Sequence, residues 1–192
     1  MELVQQQKLV ARLCTNREFR EEFFAHPAQV AAREGLTVGA EGLAELHPEH
    51  LRQFVRLLRT RRLGSVGVAL PLTRRVLGNR FVECFKLYAL RPTPPGVERV
   101  VEDAIGFVDF LRGHMGSEVL DPPWSLSLAR YEAARLEAVW LGRRLVVRWL
   151  PHRIGSLLAQ LAKGKVEAGS FKRPTLAIWH GTGRGQPRHW LV

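Results

Sequence analysis

The feature that most constrains the fold is a stripe of large apolar side chains near the middle of the chain. Four of these side chains follow the spacing i, i+3, i+4, i+7: Phe81, Cys84, Phe85 and Tyr88. This spacing places them on one face of an α-helix, and that face has to pack against other elements. Pro92 ends the helix because the residue before a proline avoids the helical region. The centre of the chain is therefore predicted to be a helical body.

Several helices are predicted before this stripe. The first covers residues 2–14, the second is capped by Asn16, and the third runs from Pro27 to Gly35. A fourth helix starts at Pro48. The N-terminal third of the chain is therefore expected to be entirely helical.

The fourth helix carries five apolar residues that are expected to face inward. They are Leu51, Phe54, Val55, Leu57 and Leu58. The sequence Gly-Ser-Val-Gly at residues 64–67 predicts a hinge after this helix. No Gly-Lys-Ser or Gly-Lys-Thr follows the hinge, which argues against a phosphate-binding loop.

Three helices are predicted between this hinge and the C-terminal region, besides the one with the apolar stripe. One follows Pro71, one covers residues 97–114, and the third starts at Ser125 or Ser127 and ends at Trp140. The acidic residues of the third are expected to face solvent or to pair with another helix.

Towards the C-terminus the apolar period changes from that of a helix to that of a strand. Residues 145–150 alternate in the manner of a strand, and residues 174–180 and 188–192 predict two further strands. Residues 154–163 predict a short helix, and residues 181–187 predict a turn.

The predicted fold is therefore α+β and mostly helical: a multi-helix body followed by a small C-terminal antiparallel β-sheet. Helices are expected to cover one face of the sheet, and its exposed edges could be extended by another peptide. We expect an N-terminal helical segment over residues 1–63, a central helical body over residues 64–141 and a small basic β-rich element over residues 142–192.

The net charge of +11 is concentrated in the last quarter of the chain. From Leu141 onward there are ten Lys and Arg residues and a single acid, Glu167, which is a net +9. Such a segment attracts nucleic acid, an acidic peptide or an acidic protein surface. A solvated basic surface without a specific partner is the alternative.

Other features of the sequence predict a cytoplasmic protein that does not enter a membrane. There is no run of ~18 apolar residues, and the N-terminus lacks the basic and apolar regions of a signal peptide. Cys14 and Cys84 are surrounded by apolar residues, so we expect buried free thiols in a reducing compartment.

No pattern of catalytic or metal-binding residues is recognisable in the sequence. The seven histidines form neither a His-Glu-x-x-His motif nor part of a nucleophile elbow. His47 and His50 have a spacing compatible with two metal ligands but lack a third. His180 and His189 are candidates to meet across adjacent strands. We therefore predict no catalytic residues, no metal and no cofactor.

Three aromatic and helical motifs in the middle of the chain resemble a known family. They are Gly78-x-Arg80-Phe81-x3-Phe85-x2-Tyr88, Phe107-x2-Phe110-Leu111 and Leu128-Ala129-Arg130-Tyr131-Glu132-x4-Glu137-Ala138, within residues 59–149. The chain resembles the bacterial DNA-binding-domain family of partner proteins that occur beside multinuclear non-haem iron oxidases, of which the methanobactin partner protein is a relative. Tyr131-Glu132-Ala133 stands where that family usually has Leu-Glu-Trp.

A shorter motif near the N-terminus resembles a second family. Phe19-x3-Phe23-x2-His26-Pro27-x7-Gly35-Leu36 is similar to Nif11-like helical leader segments and to the small helical subunit of some extradiol dioxygenases. Those families usually have Asp at the position of His26. We interpret this motif first as a helix-turn-helix packing signature.

The first resemblance implies a non-catalytic subunit that forms a heterodimer with a multinuclear non-haem iron oxidase. It would present the leader of a precursor peptide for modification, with the leader added as a strand to the small sheet. Arginine and tryptophan are enriched at binding hot spots. The candidate peptide- and partner-binding residues are Arg143, Arg144, Arg148, Trp149, Lys172, Arg173, Trp179, Arg188 and Trp190.

Two alternatives to this hypothesis remain. A nucleic-acid-binding protein without sequence preference would use the same cations to neutralise phosphates, although no familiar nucleic-acid-binding motif is present. The tryptophans could equally be core residues of the small sheet rather than anchors for a partner.

Overall fold

The structure, a computed structural model, describes residues 2–35, 47–91, 93–94, 96–114, 120–164, 171–181 and 187–192. Within these ranges the chain forms nine helices and three strands, so the predicted α+β, mostly helical fold is confirmed. The strands follow the helical body and form one antiparallel sheet, as predicted.

The helices and strands have the following bounds. The helices are α1 (Glu2–Thr15), α2 (Arg17–Ala25), α3 (Pro27–Arg33), α4 (Pro48–Ala69), α5 (Pro71–Leu77), α6 (Asn79–Tyr88), α7 (Arg99–His114), α8 (Ser125–Val139) and α9 (Ile154–Ala162). The strands are β1 (Leu145–Leu150), β2 (Thr175–His180) and β3 (Arg188–Leu191). None of the helices in the described ranges is long and apolar enough to cross a membrane.

The chain divides into two compact units. Unit 1 contains residues 1–61 and 89–92, and unit 2 contains residues 62–88 and 93–192. The division at residue 61 falls within α4, close to the predicted boundary at residue 63. Unit 2 contains both the central helices and the C-terminal strands.

Unit 1 is a small helical cluster whose caps follow from its sequence. Asn16 accepts a hydrogen bond at its side-chain oxygen from the Phe19 backbone N–H, over 3.0 Å, and so caps α2 as predicted. Gly35 follows α3 in the left-handed conformation, with φ of 69°. The core of this unit consists of Leu9, Leu13, Phe19, Phe23, Val30, Leu51 and Val55.

Helix α4 departs from the sequence-based prediction in two ways. Leu51 and Val55 are buried as expected, but the three other apolar residues expected to face inward are exposed, Leu57 by 63%. The exposed residues are Phe54, Leu57 and Leu58. The predicted hinge at residues 64–67 is also wrong, because α4 continues through both glycines to Ala69.

The second glycine of this sequence lies where a side chain would meet a neighbour. A Cβ atom at Gly67 would lie 2.7 Å from both Cδ and Nη1 of Arg74 on α5. Gly64 has open space around the same position. Gly67 therefore allows the Arg74 side chain to pack closely against α4, whereas no neighbouring group requires a glycine at position 64.

The predicted apolar stripe of α6 is confirmed as the centre of the helical part of unit 2. All four of its members are buried, and three of them form edge-to-face or tilted ring contacts with Phe107 of α7, at centroid distances of 5.0 to 5.4 Å. Tyr88 also donates a hydrogen bond to Asp103, whose carboxylate accepts two more from the Arg62 guanidinium.

Within unit 2, helix α8 lies between the sheet and helices α5 and α7. Its sequence is apolar on most sides, and twelve of its residues are buried. Glu132 is one of them: its carboxylate accepts hydrogen bonds from the backbone N–H groups of Leu72 and Thr73 and from the Thr73 hydroxyl. This carboxylate caps α5, whose own N-cap residue, Leu70, has no side chain that could do so.

Candidate docking site on the C-terminal sheet

The sheet is formed by three neighbouring antiparallel strands in the order β1-β2-β3. Val147 of β1 lies opposite Ile178 of β2, which lies opposite Trp190 of β3. Because side chains alternate between the two faces of a strand, these three share one face. Their neighbours along each strand, such as Val146 and Trp179, share the other face.

The inner face of the sheet packs against α8 and α9. Val146, Leu150, Ala177 and Trp179 are buried in one apolar cluster with residues from both helices. Trp179 is only 2% exposed, and its ring lies 5.2 Å from that of Tyr131 on α8. Trp179 was a candidate anchor for a partner, but the structure places it in the core of the small sheet, which was the alternative given for the tryptophans.

The outer face of the sheet is apolar and exposed. Trp149 is 60% exposed and Trp190 is 48% exposed. Aliphatic side chains of β1 and β2, and Val192 directly after β3, share this face with the two tryptophans; Leu176 and Ile178 are partly buried. We call these seven residues the outer face: Leu145, Val147, Trp149, Leu176, Ile178, Trp190 and Val192.

The register also identifies the backbone groups at the edge of β1. Gly181 donates its N–H to the Arg144 carbonyl over 2.9 Å, so alternation gives the hydrogen-bonded pairs 146–179 and 148–177 between β1 and β2. The N–H and C=O groups of Leu145, Val147 and Trp149 therefore point away from β2. Among the described residues, the only hydrogen bond to this free edge is the one that the Arg148 side chain donates to the Val147 carbonyl.

The candidate cations lie at opposite ends of the sheet. Arg143 and Arg144 precede β1 at the end where Arg188 of β3 lies opposite His180 of β2. Lys172 and Arg173 precede β2 and lie at the other end. The structure therefore brings the predicted cations together as two groups rather than as one continuous patch.

Arg148 and Arg143 differ from the other candidate cations because both have an acidic partner within the chain. Arg148 shares the inner-face register of Val146, and its guanidinium donates a hydrogen bond to the Glu137 carboxylate of α8 over 2.5 Å. The Arg143 guanidinium lies 3.4 Å from the same carboxylate, which is largely buried. Arg148 therefore serves first to neutralise a buried carboxylate of its own chain.

This ion pair lines an open polar cavity of about 470 Å³ between α7, α8 and β1. Three carboxylates and two arginines contribute most of its charge, so these charges largely compensate one another. Its lining residues are Glu102, Ile105, Gly106, Asp109, Glu137, Leu141, Arg143 and Arg148. A metal-binding group of three or more His, Cys, Asp or Glu residues is not present within the described ranges.

The structure separates one of the two histidine pairs noted in the sequence and keeps the other pair close together. His180 lies opposite Arg188, and His189 lies opposite Trp179, so the predicted meeting of the two histidines is wrong. They occupy opposite faces of the sheet because their register positions differ by one residue. The His47 and His50 rings lie 5.4 Å apart at the start of α4.

Two further groups with reactive side chains are buried or partly buried, and neither forms a recognisable catalytic arrangement among the described residues. The Ser127 hydroxyl and His152 Nδ1 share a hydrogen bond of 2.8 Å, and burial lowers the pKa of that histidine. No carboxylate completes a catalytic triad with them among the hydrogen bonds of the described residues. Burial raises the pKa of both the Cys14 and the Cys84 thiol, so neither has the lowered pKa of a reactive cysteine.

Most of the outer face was not among the residues predicted to bind. The sequence carried a signal for it, because Leu-Val-Val-Arg-Trp-Leu in β1 and Thr-Leu-Ala-Ile-Trp-His in β2 are apolar at both odd and even positions. Strands covered on both faces have such near-continuous apolar runs, whereas strands with one solvated face alternate. The pattern thus predicts two apolar faces, of which helices α8 and α9 cover one.

Comparison with known proteins adds no relative to this description. No protein-family model matches the chain, and no curated protein matches it significantly.

Proposed function

We propose that this chain is a non-catalytic binding protein that holds an extended acidic peptide as a fourth strand at the free edge of β1. The observation that carries the proposal is the row of backbone groups at Leu145, Val147 and Trp149 that point away from β2, with cations at both ends of the sheet. Among the described residues, only the Val147 carbonyl in this row has a partner, the Arg148 side chain. Backbone hydrogen bonds at a sheet edge supply affinity without regard to sequence, and the neighbouring side chains supply specificity.

The charges at the two ends of the sheet favour an acidic peptide. Arg144 and Arg188 lie towards one end of the strands, and Lys172 and Arg173 lie towards the other. All four are exposed. A peptide with acidic residues near both ends of a six-residue extended segment would meet a cation at each end, because such a segment spans about 20 Å.

The identity of the partner rests on the resemblance described above. On that basis the peptide is the leader of a ribosomally made precursor, and the chain recruits it to a multinuclear non-haem iron oxidase with which it forms a heterodimer. The free edge of β1 and the flanking cations are compatible with this role. The oxidase would supply the chemistry, and this chain would supply the recognition of the leader.

The proposal is tested by titrating the protein with the leader of a precursor peptide encoded beside its gene. We expect a Kd well below ~100 µM, since a specific recognition element should bind more tightly than this. Val147→Pro removes an N–H that points away from β2, so the substitution should weaken binding about tenfold or more while β1 still pairs with β2.

Two variants serve as controls for the edge. Val147→Ala shortens the same side chain but keeps the backbone N–H, so it should bind the leader nearly as well as the unmodified protein. His189→Pro alters the outer edge of β3 instead. Equal binding by the Val147→Pro and Val147→Ala variants would show that the leader does not add to β1, and binding lost only in His189→Pro would move the site to β3.

A nucleic-acid-binding function is the second candidate, and the distribution of charge favours it. From Leu141 onward, the described residues include eight Lys and Arg side chains and no Asp or Glu. Such a segment should bind duplex DNA in a mobility-shift assay at ~50 mM salt and lose most of that binding at ~200 mM. Absent or salt-insensitive binding would exclude this function.

A further inference from the structure

The outer face of the sheet would stay exposed even with a peptide bound at the edge of β1. A strand added to β1 would lie in the plane of the sheet, so it would widen the outer face without covering it. The outer face exposes on the order of 600 Å² of apolar surface, the upper end of what the largest patch on a monomeric protein presents. The peptide-binding edge and the outer face are therefore separate surfaces.

We propose that the outer face docks an amphipathic helix of a partner protein, with acidic residues flanking the apolar stripe of that helix. This inference does not rest on the proposed function at the β1 edge. The axes of β1 and β3 lie about 10 Å apart, a distance that matches the diameter of one α-helix. Six residues of β1 extend about 20 Å, which matches about four helical turns.

The architecture of the sheet favours a helix as the occupant. Sheets with two apolar faces are stable when an element covers each face, and helices are the usual cover. In this chain α8 and α9 cover the inner face through Leu128, Tyr131 and Leu157, among others. A helix on the outer face would complete a three-layer arrangement of helix, sheet and helix.

The charges around the outer face favour an acidic partner over a second copy of the chain. Arg188 borders the outer face at the end where Arg144 precedes β1, and Lys172 and Arg173 lie at the opposite end. Two copies packed through this face would bring the same cations together and repel each other. An acidic rim on the partner helix would instead attract them from a distance.

The aliphatic content of the face favours protein over single-stranded nucleic acid. A stacking platform for bases needs aromatic rings at successive positions. Here two tryptophans are separated by aliphatic residues: Trp149 lies opposite Leu176, and Trp190 lies opposite Ile178. Leu and Val side chains bury well against the apolar stripe of a helix.

The test uses a fluorescently labelled synthetic peptide of about 18 residues, with leucines at helical spacing and glutamates on either side of them. The counterpart peptide carries lysine in place of every glutamate. Anisotropy titration should give a Kd of tens of micromolar or tighter for the acidic peptide, and at least about tenfold weaker binding for the basic one. Equal affinity for both peptides would overturn the acidic-partner proposal.

Substitutions locate the binding surface. Trp149→Gln and Trp190→Gln each remove an exposed ring of the outer face and should weaken binding of the acidic peptide about tenfold. Trp140→Gln is the matched control, because Trp140 is 64% exposed but lies at the end of α8, outside the sheet. Thermal melting confirms that the variants are folded. Unchanged binding in both outer-face variants, or an equal loss in the control, would overturn the proposal.

Two further measurements address the other occupants. Sedimentation that shows a dimer, abolished by Trp190→Gln, would replace the partner helix with a second copy of the chain. Binding of an oligothymidine strand that is tighter than that of the acidic peptide, and is lost in both outer-face variants, would replace it with single-stranded nucleic acid. Because Trp190 lies on β3, at the opposite edge of the sheet from the free edge of β1, its substitution leaves that edge intact, so each proposal can fail independently of the other.

Discussion

At the scale of single residues, buried charges in this chain hold elements together. Glu132 on α8 caps the N-terminus of α5, and Glu137 joins α8 to β1 through its ion pair with Arg148. The Asp103 carboxylate accepts hydrogen bonds from Arg62 and Tyr88. Each carboxylate is buried and has hydrogen-bond donors directed at it. Removing the partners of such a buried charge lowers the stability of the fold, because the charge is then left without hydrogen bonds. A different packing of the helices would separate these partners, so the contacts favour the observed packing.

Glu132 offers the sharpest test of this principle. Burial raises the pKa of its carboxyl, while the hydrogen bonds from Leu72 and Thr73 lower it. Glu132→Gln places an amide NH₂ towards groups that are themselves donors, so we expect unfolding free energy to fall by about 1–3 kcal/mol. Urea denaturation measures this change.

The control for Glu132 is Glu83→Gln. Glu83 forms an exposed pair with Arg80 over 3.0 Å within α6, so its substitution should change the unfolding free energy by about 0.5 kcal/mol or less. If the Glu132→Gln protein is as stable as the unmodified one, the cap on α5 does not depend on a carboxylate.

At the scale of elements, helix α4 shows how local signals and packing compete. Two glycines within four residues indicated a hinge, because each weakens a helix by about 0.5–1 kcal/mol relative to alanine. Val66 between them is completely buried, and the Arg74 side chain packs against Gly67. Tertiary contacts therefore carry the helix through a sequence that would end many isolated helices.

The two glycines of α4 should respond differently to alanine. Gly64→Ala adds a methyl group in open space and should stabilise the protein by about 0.5–1 kcal/mol. Gly67→Ala should give little or none of this gain, because its methyl group displaces the Arg74 side chain. Thermal melting of the two variants compares them. Destabilisation by Gly64→Ala would favour the hinge predicted from the sequence over a continuous helix.

At the scale of the whole molecule, the chain consists of two units with cores of different size. Among the described residues, the apolar cluster of unit 1 contains seven buried residues, and the sheet-centred cluster of unit 2 contains thirteen, beside the ring contacts of α6 and α7. The free energy of local opening rises with the apolar area buried. The two units should therefore open at different free energies.

Amide hydrogen exchange tests this difference. We expect the amides of Leu13 and Phe23 in unit 1 to exchange at least about tenfold faster than those of Leu128 and Trp179 in unit 2. All four residues are buried, so the comparison reports opening rather than surface exposure. Equal protection of the four amides would mean that both units open together in one cooperative step.

Much of the fold followed from patterns within short stretches of the sequence. The stripe on α6, the cap at Asn16 and the change of period at β1 were predicted correctly because each depends on residues within one or two turns of the chain. The candidate site was predicted less completely. Trp149, Trp190 and Trp179 all occur in apolar strands, and nothing local separates the two exposed tryptophans from the buried one.

Short-range patterning was thus sufficient for the type and order of the elements and for the cationic character of the C-terminal quarter, because period, capping and composition are properties of neighbouring residues. It was not sufficient for the length of α4, which tertiary contacts extend. The face of each strand that meets α8, the pairing of Arg148 with Glu137 and the capping of α5 by Glu132 arise between residues far apart in the chain. Such pairings depend on how helices and sheet pack as a whole. Which backbone groups are free at the edge of β1, and which apolar face of the sheet stays exposed, therefore emerged only from the assembled fold.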